Sequence, residues 1–144
     1  MVARLAAEAP PRIAAGADMR LVLSFGANDA TVEDGRPRVE PAASVRALED
    51  ALGLGLPAFV VGPPPANDDA QIDRIASLSE RFAVVCAARG VPYVDVVGDL
   101  RRHGAWLREA RTGDGAHPGA GGYARLAGLV REPLLRWLSA PAGG

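Results

Sequence analysis

The chain has 144 residues, of which 49% are hydrophobic and 23% charged, a composition typical of one folded globular domain and too apolar for a disordered segment. With 16 basic and 17 acidic residues its formal net charge is -1, so no positive field gathers nucleic acid or anionic membrane, and neither is an expected partner. The single cysteine and two histidines exclude an intramolecular disulfide and a Cys/His zinc cluster, and no apolar run is long enough to span a bilayer.

The first elements of the chain are a helix end and a strand. Residues 2–9 have the pattern of the end of an amphipathic helix, which Pro10 and Pro11 close. A chain that begins inside a helix indicates N-terminal truncation. Residues 20–25 form a mostly apolar run between turn residues, which predicts a strand buried on both faces of a parallel sheet. A polar loop then runs through Pro41.

A helix and a second strand are predicted after this loop. Val45, Leu48 and Leu52 recur at helical spacing, and the glycines at 53 and 55 end that helix. Residues 57–61 are apolar and predict the second strand.

A long second helix follows the Gly-Pro-Pro-Pro turn that begins at residue 62. Asn67 or Asp68 is expected to cap it, and Gly90 to end it. Its apolar stripe predicts one buried face, made of Ile72, Ile75, Leu78, Phe82 and Val85.

The last third of the chain predicts a third strand at residues 91–97, mixed helix and loop at 98–113, and a closing helix. Pro133 is expected to kink or restart that helix, and residues 140–144 to form a flexible tail. The closing helix is marked by apolar residues at helical spacing, namely Tyr123, Leu126, Val130, Leu134 and Trp137.

Strands that alternate with helices of this length pair in parallel through right-handed crossovers. The sequence therefore predicts a three-layer α/β/α sandwich with a parallel, flavodoxin-like sheet. Residues 1–144 are expected to form one domain, without a linker or an internal repeat.

The first candidate site segment is the Gly-Ala-Asn-Asp turn that follows the first predicted strand. It lies at the carboxyl end of that strand, where parallel α/β sheets bind ligands. The amide of Asn28 is a neutral donor suited to a developing oxyanion. Gly26 would let the backbone turn closely, and Asp29 could accept backbone N–H groups and hold the loop. The alternative is an ordinary turn, because all these residues favour turns.

The second candidate segment is Asp-Gly-Ala-His-Pro at residues 114–118. The carboxylate of Asp114 could accept the imidazole N–H of His117 and fix its tautomer, which leaves the other ring nitrogen as a base. Pro118 suits the first position of the closing helix. The alternative is an exposed histidine in a glycine-rich loop. His103, beside two arginines, is expected to be a surface residue.

Taken together and in order, from about residue 20 to residue 138, these segments resemble the SGNH hydrolases, the GDSL-type esterase and lipase family. The resemblance implies that Asn28 is the oxyanion-hole donor and that Asp114 and His117 are the acid and base of a serine acyl-transfer mechanism. It also implies a carboxyl-ester hydrolase that acts on a small ester or thioester and needs no metal or organic cofactor.

The nucleophile of that family, in a Gly-Asp-Ser block near the N-terminus, has no counterpart in this chain. Ser24 lies within a predicted strand, and Ser44, Ser77 and Ser79 lie in predicted helices, so none occupies the required turn. Family topology places the missing strand beside residues 20–25. We therefore expect an N-terminally truncated domain that lacks its first strands, shows no esterase turnover alone and can associate with itself through the exposed sheet edge.

Two other functional classes are open to a chain with this pattern. A non-catalytic descendant could keep the cleft as a binding or interaction module. A nucleotide-binding domain is disfavoured, because the glycines at 53 and 55 precede a strand whereas a phosphate-binding loop follows one. No secretory signal is visible, which favours the cytoplasm, although a signal could have been lost with the missing N-terminus.

Overall fold

A computed structural model describes residues 18–113 and 117–140. The helix end predicted at residues 2–9 and nearly all of the predicted tail lie outside these residues. In chain order the described elements are β1 (Leu21–Ser24), β2 (Val32–Glu33), β3 (Arg36–Pro37), α1 (Pro41–Leu52), β4 (Ala58–Val61), α2 (Asp69–Ala88), β5 (Tyr93–Val94), α3 (Val97–Arg102), α4 (Gly104–Thr112) and α5 (Ala120–Ser139).

The main sheet of the described residues is parallel, with β4 between β1 and β5. Leu21 pairs with Ala58, and Val61 pairs with Val94, which fixes the register of the three strands. Helix α1 connects β1 to β4, and α2 connects β4 to β5. The prediction of a parallel α/β fold is confirmed. Within the described sheet β1 is an edge strand, and self-association through it stays a prediction.

Helices cover both faces of β4, whose four residues are all buried. Successive side chains of a strand point to opposite faces, so Ala58 and Val60 face one helical layer while Phe59 and Val61 face the other. The first layer contributes Leu48 and Leu52 of α1 and Leu78, Phe82 and Cys86 of α2. The second contributes Leu100 of α3, Trp106 of α4 and the partly buried Leu126, Leu129, Val130, Leu134 and Trp137 of α5. The predicted three-layer sandwich is therefore confirmed.

Arg20 joins the beginning of β1 to the end of α5. Its guanidinium donates hydrogen bonds to the carbonyl oxygens of Trp137 (2.8 Å), Leu138 (2.9 Å) and Ala140 (3.0 Å). Trp137 and Leu138 belong to the last turn of the helix, whose carbonyls lack the regular intrahelical donors, and Ala140 is the residue that follows it. A positive charge there also complements the negative end of the helix dipole. Arg20 thus acts as the C-terminal cap of α5.

The third strand is shorter than predicted, because residues 91–97 form a strand only at Tyr93 and Val94. Asp95 interrupts it. Its carboxylate accepts hydrogen bonds from the hydroxyl of Ser79 (2.9 Å) and from the backbone N–H of Val97 (3.2 Å), where α3 begins. The polar side chain therefore starts a helix where the apolar pattern predicted further strand.

The loop predicted before α1 contains a hairpin. Strands β2 and β3 pair antiparallel around Asp34 and Gly35, whose φ angles are 51° and 77°. Two consecutive residues with positive φ are characteristic of a type I′ turn, for which Asp-Gly is a preferred sequence. The Asp-Gly sequence favours such a turn, but strands of two residues are too short to show a recognisable alternation of apolar and polar residues.

Helix α5 does not restart at Pro133, since it runs from Ala120 to Ser139 with the proline inside it. Proline removes one backbone hydrogen bond from a helix. Apolar residues on both sides of Pro133 pack against the same core cluster, and Trp137 packs on Phe59 with ring centroids 5.5 Å apart. Tertiary packing therefore keeps the helix continuous.

Candidate active site

The carboxyl ends of β1 and β4 open into one cavity of about 590 Å³. The loop after β1, the loop after β4 and the beginning of α5 enclose it. Both Asn28 and His117 line this cavity, although they come from opposite ends of the described chain. Its other lining residues are Ala27, Thr31, Pro64, Pro65, Ala66, Asn67, Asp68, Gln71, Trp106, Pro118, Tyr123 and Leu126.

Gly26 lets β1 turn into the loop that carries Asn28. Its φ of +109° lies in the region that residues with a Cβ rarely adopt. A Cβ at this position would also lie 3.1 Å from a methyl carbon of Leu78 and 3.4 Å from the ring of Phe82. The close packing of this turn on α2 therefore requires glycine.

Asp29 ties the same loop to α1. Its carboxylate accepts a hydrogen bond from the hydroxyl of Ser44 at 2.7 Å, and Ser44 is buried. The sequence predicted backbone N–H groups as its partners, and the structure gives a serine hydroxyl. The backbone carbonyl of Asp29 accepts the N–H of Val39 at 3.1 Å, so the residue is held from both its side chain and its backbone.

His117 is exposed at the rim of the cavity, and the buried Pro118 follows it. Asp114 lies outside the described residues, so its predicted contact with His117 stays a prediction. Gly113 and His117 are the described residues on either side of Asp114. They lie close together, because a Cβ at Gly113 would be 3.6 Å from the carbonyl oxygen of His117. The prediction that Pro118 is the first helical residue is wrong, since the extended Gly119 caps α5 at Ala120.

A carboxylate anchors the beginning of α5 beside His117. Glu109 accepts a hydrogen bond from the backbone N–H of Gly122 at 2.8 Å. A Cβ at Gly121 would overlap the carboxylate of Glu109, and one at Gly122 would overlap the ring of Pro118. Gly121 therefore leaves room for Glu109 at the helix end, where a negative charge is stabilised by the helix dipole, and Gly122 leaves room for Pro118.

Trp106 forms the apolar wall of the cavity. It is buried, its indole N–H donates to the carbonyl of Pro65 at 2.9 Å, and its ring meets Tyr123 edge to face at 5.9 Å. The cavity thus combines an amide and an imidazole at its rim with aromatic and apolar walls. A small ligand with a polar carbonyl and an apolar substituent would fit this arrangement.

The sequence model of the GDSL-like lipase/acylhydrolase family matches residues 2–125. The chain belongs to this family.

Two solved structures share the fold of this acylhydrolase-family chain. A lipase/acylhydrolase from Enterococcus faecalis superposes with a TM-score of 0.71 at 23% identity, over 99% of this chain and 71% of that one. A protein from Bacteroides fragilis, described provisionally as an acylhydrolase, gives a TM-score of 0.67 at 21% identity, over 83% of this chain. The chain spans only 62% of the length of the second protein. No curated protein matches the chain significantly.

No serine lines the cavity among the described residues of this GDSL-like chain, whose hydroxyl groups there belong to Thr31 and Tyr123. Ser24 ends β1 on an exposed position, and Ser77 is exposed on α2. The hydroxyl of Ser79 is buried and hydrogen-bonded to Tyr93 (2.6 Å) and Asp95.

The other histidine and the single cysteine lie outside the cavity, and the environment of His103 differs from the one expected. His103 is half-buried rather than a surface residue, because it joins α3 to α4, and its Nδ1 is buried without a hydrogen-bond partner in the described part of the chain. Burial raises the pKa of the Cys86 thiol to about 11, which keeps it protonated. No cluster of three possible metal ligands, and no helix long and apolar enough to cross a membrane, occurs among residues 18–113 and 117–140.

Of the residues that line the cavity, the sequence predicted only Asn28 and His117 as site residues, and it missed the others, among them Thr31, Gln71 and Trp106. Gln71 gave no signal of a role in the site, because the cap expected at Asn67 or Asp68 places it only in the first helical turn. The structure shows this cap, with the carboxylate of Asp68 accepting the N–H of Gln71 at 2.7 Å. Trp106 gave no signal, since residues 98–113 read as mixed helix and loop.

Proposed function

We propose that the cavity is the acyl-transfer site of a carboxyl-ester hydrolase. Asn28 donates a hydrogen bond to the oxyanion, His117 acts as the base, and Asp114 orients His117. The observation that carries this proposal is that Asn28 and His117 line the same cavity. Membership of the GDSL-like lipase/acylhydrolase family supports it.

The proposed chemistry follows from these three side chains. A hydroxyl attacks the acyl carbonyl of a small ester or thioester while His117 accepts its proton. The charge that develops on the carbonyl oxygen is stabilised by the amide of Asn28. His117 then returns the proton to the leaving group, and Asp114 stabilises the transient imidazolium. Water releases the acyl group through the same steps.

No serine of the described residues lines the cavity, so none of them supplies the nucleophile there. We therefore propose that the chain alone provides the oxyanion donor and the base but does not turn over esters. The same observation favours a second candidate, a GDSL-like module that binds small carboxylates or esters without hydrolysing them.

Carboxylate binding tests the proposed site, because a product carboxylate places a negative oxygen where the oxyanion forms. We expect butyrate, titrated into the isotope-labelled chain, to shift the side-chain amide resonance of Asn28 and the ring resonances of His117 together and saturably. Asn28→Ala should weaken this binding by about tenfold or more. Asn67→Ala, which removes an amide from the loop after β4, serves as the matched control and should weaken it less.

One result would overturn the assignment of the site, and another would overturn only the expectation that the chain alone does not turn over esters. Butyrate could leave both Asn28 and His117 unshifted, which would remove the cavity from acyl chemistry. Alternatively, the chain alone could hydrolyse p-nitrophenyl butyrate, with activity that His117→Ala abolishes. That result would show that another group of this chain serves as the nucleophile, and it would exclude the binding-only module.

A further inference from the structure

We propose that Gln71 and Arg74 are positioning residues that hold the amide of Asn28 in place for the oxyanion. They lie three residues apart on α2 and therefore on one face of that helix. The proposal rests on the proposed role of Asn28, but the contacts that support it are independent of that role.

Gln71 and Arg74 hold the loop on both sides of Asn28. The side-chain amide of Gln71 donates to the carbonyl oxygen of Ala27 (3.2 Å) and to the hydroxyl of Thr31 (3.0 Å). The guanidinium Nε of Arg74 donates to the carbonyl oxygen of Ala30 at 3.0 Å. The carbonyls of residues 27 and 30 thus serve as two fixed points of the turn.

The remaining carbonyls of the loop are satisfied by the loop itself and by the segment beyond the hairpin. Asn28 accepts the N–H of Thr31 (3.1 Å), Asp29 accepts that of Val39, and Thr31 accepts that of Arg38 (2.7 Å). Each carbonyl from residue 27 to residue 31 therefore has a donor. Gln71 and Arg74 provide the donors in this set that come from the helical layer.

Helix α2 is a rigid support for these two donors. Ile72 and Ile75, which adjoin Gln71 and Arg74 in the chain, are fully buried. They pack in one cluster with Ala30 of the loop. The loop therefore contacts α2 through apolar packing as well as through hydrogen bonds. Because the packing lacks directionality, the hydrogen bonds are what fix the rotation of the backbone at Asn28.

The geometry also separates the role of Gln71 from that of Asn28. A side-chain amide has two N–H donors, and both of those of Gln71 have partners in the loop. Gln71 lines the cavity, yet its donors are already used. The amide of Asn28, rather than that of Gln71, is therefore the one proposed to meet an oxyanion, and Gln71 acts through it.

Arg74 provides the sharper test, because it does not line the cavity and acts on it from behind, through the loop and through an ion pair with Asp68 at 4.0 Å. We expect Arg74→Ala and Gln71→Ala to lower the NMR order parameter of the Asn28 side-chain amide. Each should weaken butyrate binding by roughly tenfold, a smaller factor than the roughly 10²-fold by which a misplacement of about 1 Å can slow a reaction. Arg81→Ala, an exposed change on the same helix, should alter neither quantity.

Thr31→Val is a milder variant that removes one acceptor of Gln71 and keeps the bond to Ala27. It should give an effect in the same direction but smaller than that of Gln71→Ala, and it keeps the test available if a larger change impairs folding. An unchanged order parameter of Asn28 in folded Arg74→Ala and Thr31→Val would overturn the proposal. If the unsubstituted chain does not bind butyrate, the proposed function fails, while the order parameter still tests positioning.

Discussion

The indole N–H of Trp106 donates a hydrogen bond to the carbonyl oxygen of Pro65 across 2.9 Å, in a buried position. This bond joins α4 to the loop that follows the central strand. Trp106→Phe would keep an aromatic ring but leave the Pro65 carbonyl without that donor. Because an unsatisfied buried acceptor costs about 1–3 kcal/mol, we expect the free energy of unfolding in urea to fall by about that amount or more.

The control for this substitution is Tyr123→Phe, which keeps the edge-to-face contact with Trp106. Tyr123 is exposed, and its change should alter stability by less than about 0.5 kcal/mol. A loss for Trp106→Phe no larger than that for Tyr123→Phe would show that the Trp106 hydrogen bond does not stabilise this wall of the cavity.

Gly62 lies close to Tyr93, so substitutions at these two positions should have non-additive effects on the free energy of unfolding. A Cβ at Gly62 would overlap the phenolic oxygen of Tyr93. Overpacking of this kind typically costs about 1–3 kcal/mol, so Gly62→Ala should lower the free energy of unfolding by that amount. Tyr93→Phe alone loses the hydrogen bond to Ser79 and should cost about 0.5–1.5 kcal/mol.

The double variant separates the overlap from the lost hydrogen bond. Since Tyr93→Phe removes the atom that the new methyl group meets, the two changes together should destabilise the protein by less than the sum of the single changes. Additive losses in chemical denaturation would mean that the backbone at Gly62, and not the tyrosine hydroxyl, resists alanine.

Local patterns predicted the central part of the fold well. Residues 58–61 are all apolar, a pattern that indicates a strand covered by helices on both faces. The structure buries all four of them. The third strand was overestimated because its end depends on Ser79, a residue of another element whose hydroxyl binds Asp95. Continuity of α5 through Pro133 likewise depends on packing against the sheet.

The candidate site, like the fold, was predictable only in part from local patterns. Asn28 and His117 each lie in a short motif, and the structure places them on one cavity. Gln71 and Arg74 were not predicted, because their partners are backbone carbonyls 44 residues earlier in the chain and, for Gln71, also the hydroxyl of Thr31. Side chains that bind backbone leave no complementary residue type in the sequence, so only coordinates reveal them.

The ion pair between Asp99 and Arg125 predicts a pH dependence of stability. Two hydrogen bonds of 2.7 Å join the carboxylate on α3 to the guanidinium on α5. The side-chain hydrogen bonds from Arg125 lower the pKa of Asp99 below its ordinary value of 3.8. The folded state therefore binds the proton less readily than the unfolded state, and the contribution of the pair is present above that value and lost as pH falls through the lowered pKa.

Asp99→Asn tests this dependence. Both partners are partly exposed, so the effect should be small and should decrease at high salt. At about pH 6 the original chain should have the higher melting temperature, and the difference should shrink towards about pH 2. Arg101, which pairs with Asp73 on the surface, offers the control variant Arg101→Gln. A constant difference across this pH range would contradict the assigned cause.

The last prediction concerns catalysis once a hydroxyl is supplied. An engineered extension ahead of residue 1, carrying an apolar strand followed by Gly-Asp-Ser, should confer hydrolysis of p-nitrophenyl butyrate. In that background Asn28→Ala should reduce kcat by roughly 10²-fold or more, because an oxyanion donor is lost. Asn67→Ala is the matched control and should reduce it much less.

The outcomes of that experiment separate the two candidate functions. If alanine in place of the added serine abolishes turnover while Asn28→Ala leaves kcat unchanged, Asn28 is not the oxyanion donor. If the extended protein folds, binds butyrate at Asn28 and His117 and still hydrolyses nothing, the binding-only module is favoured. Turnover that needs the added serine, His117 and Asn28 together would establish that one cavity holds the oxyanion donor and the base, because neither side chain can substitute for the other.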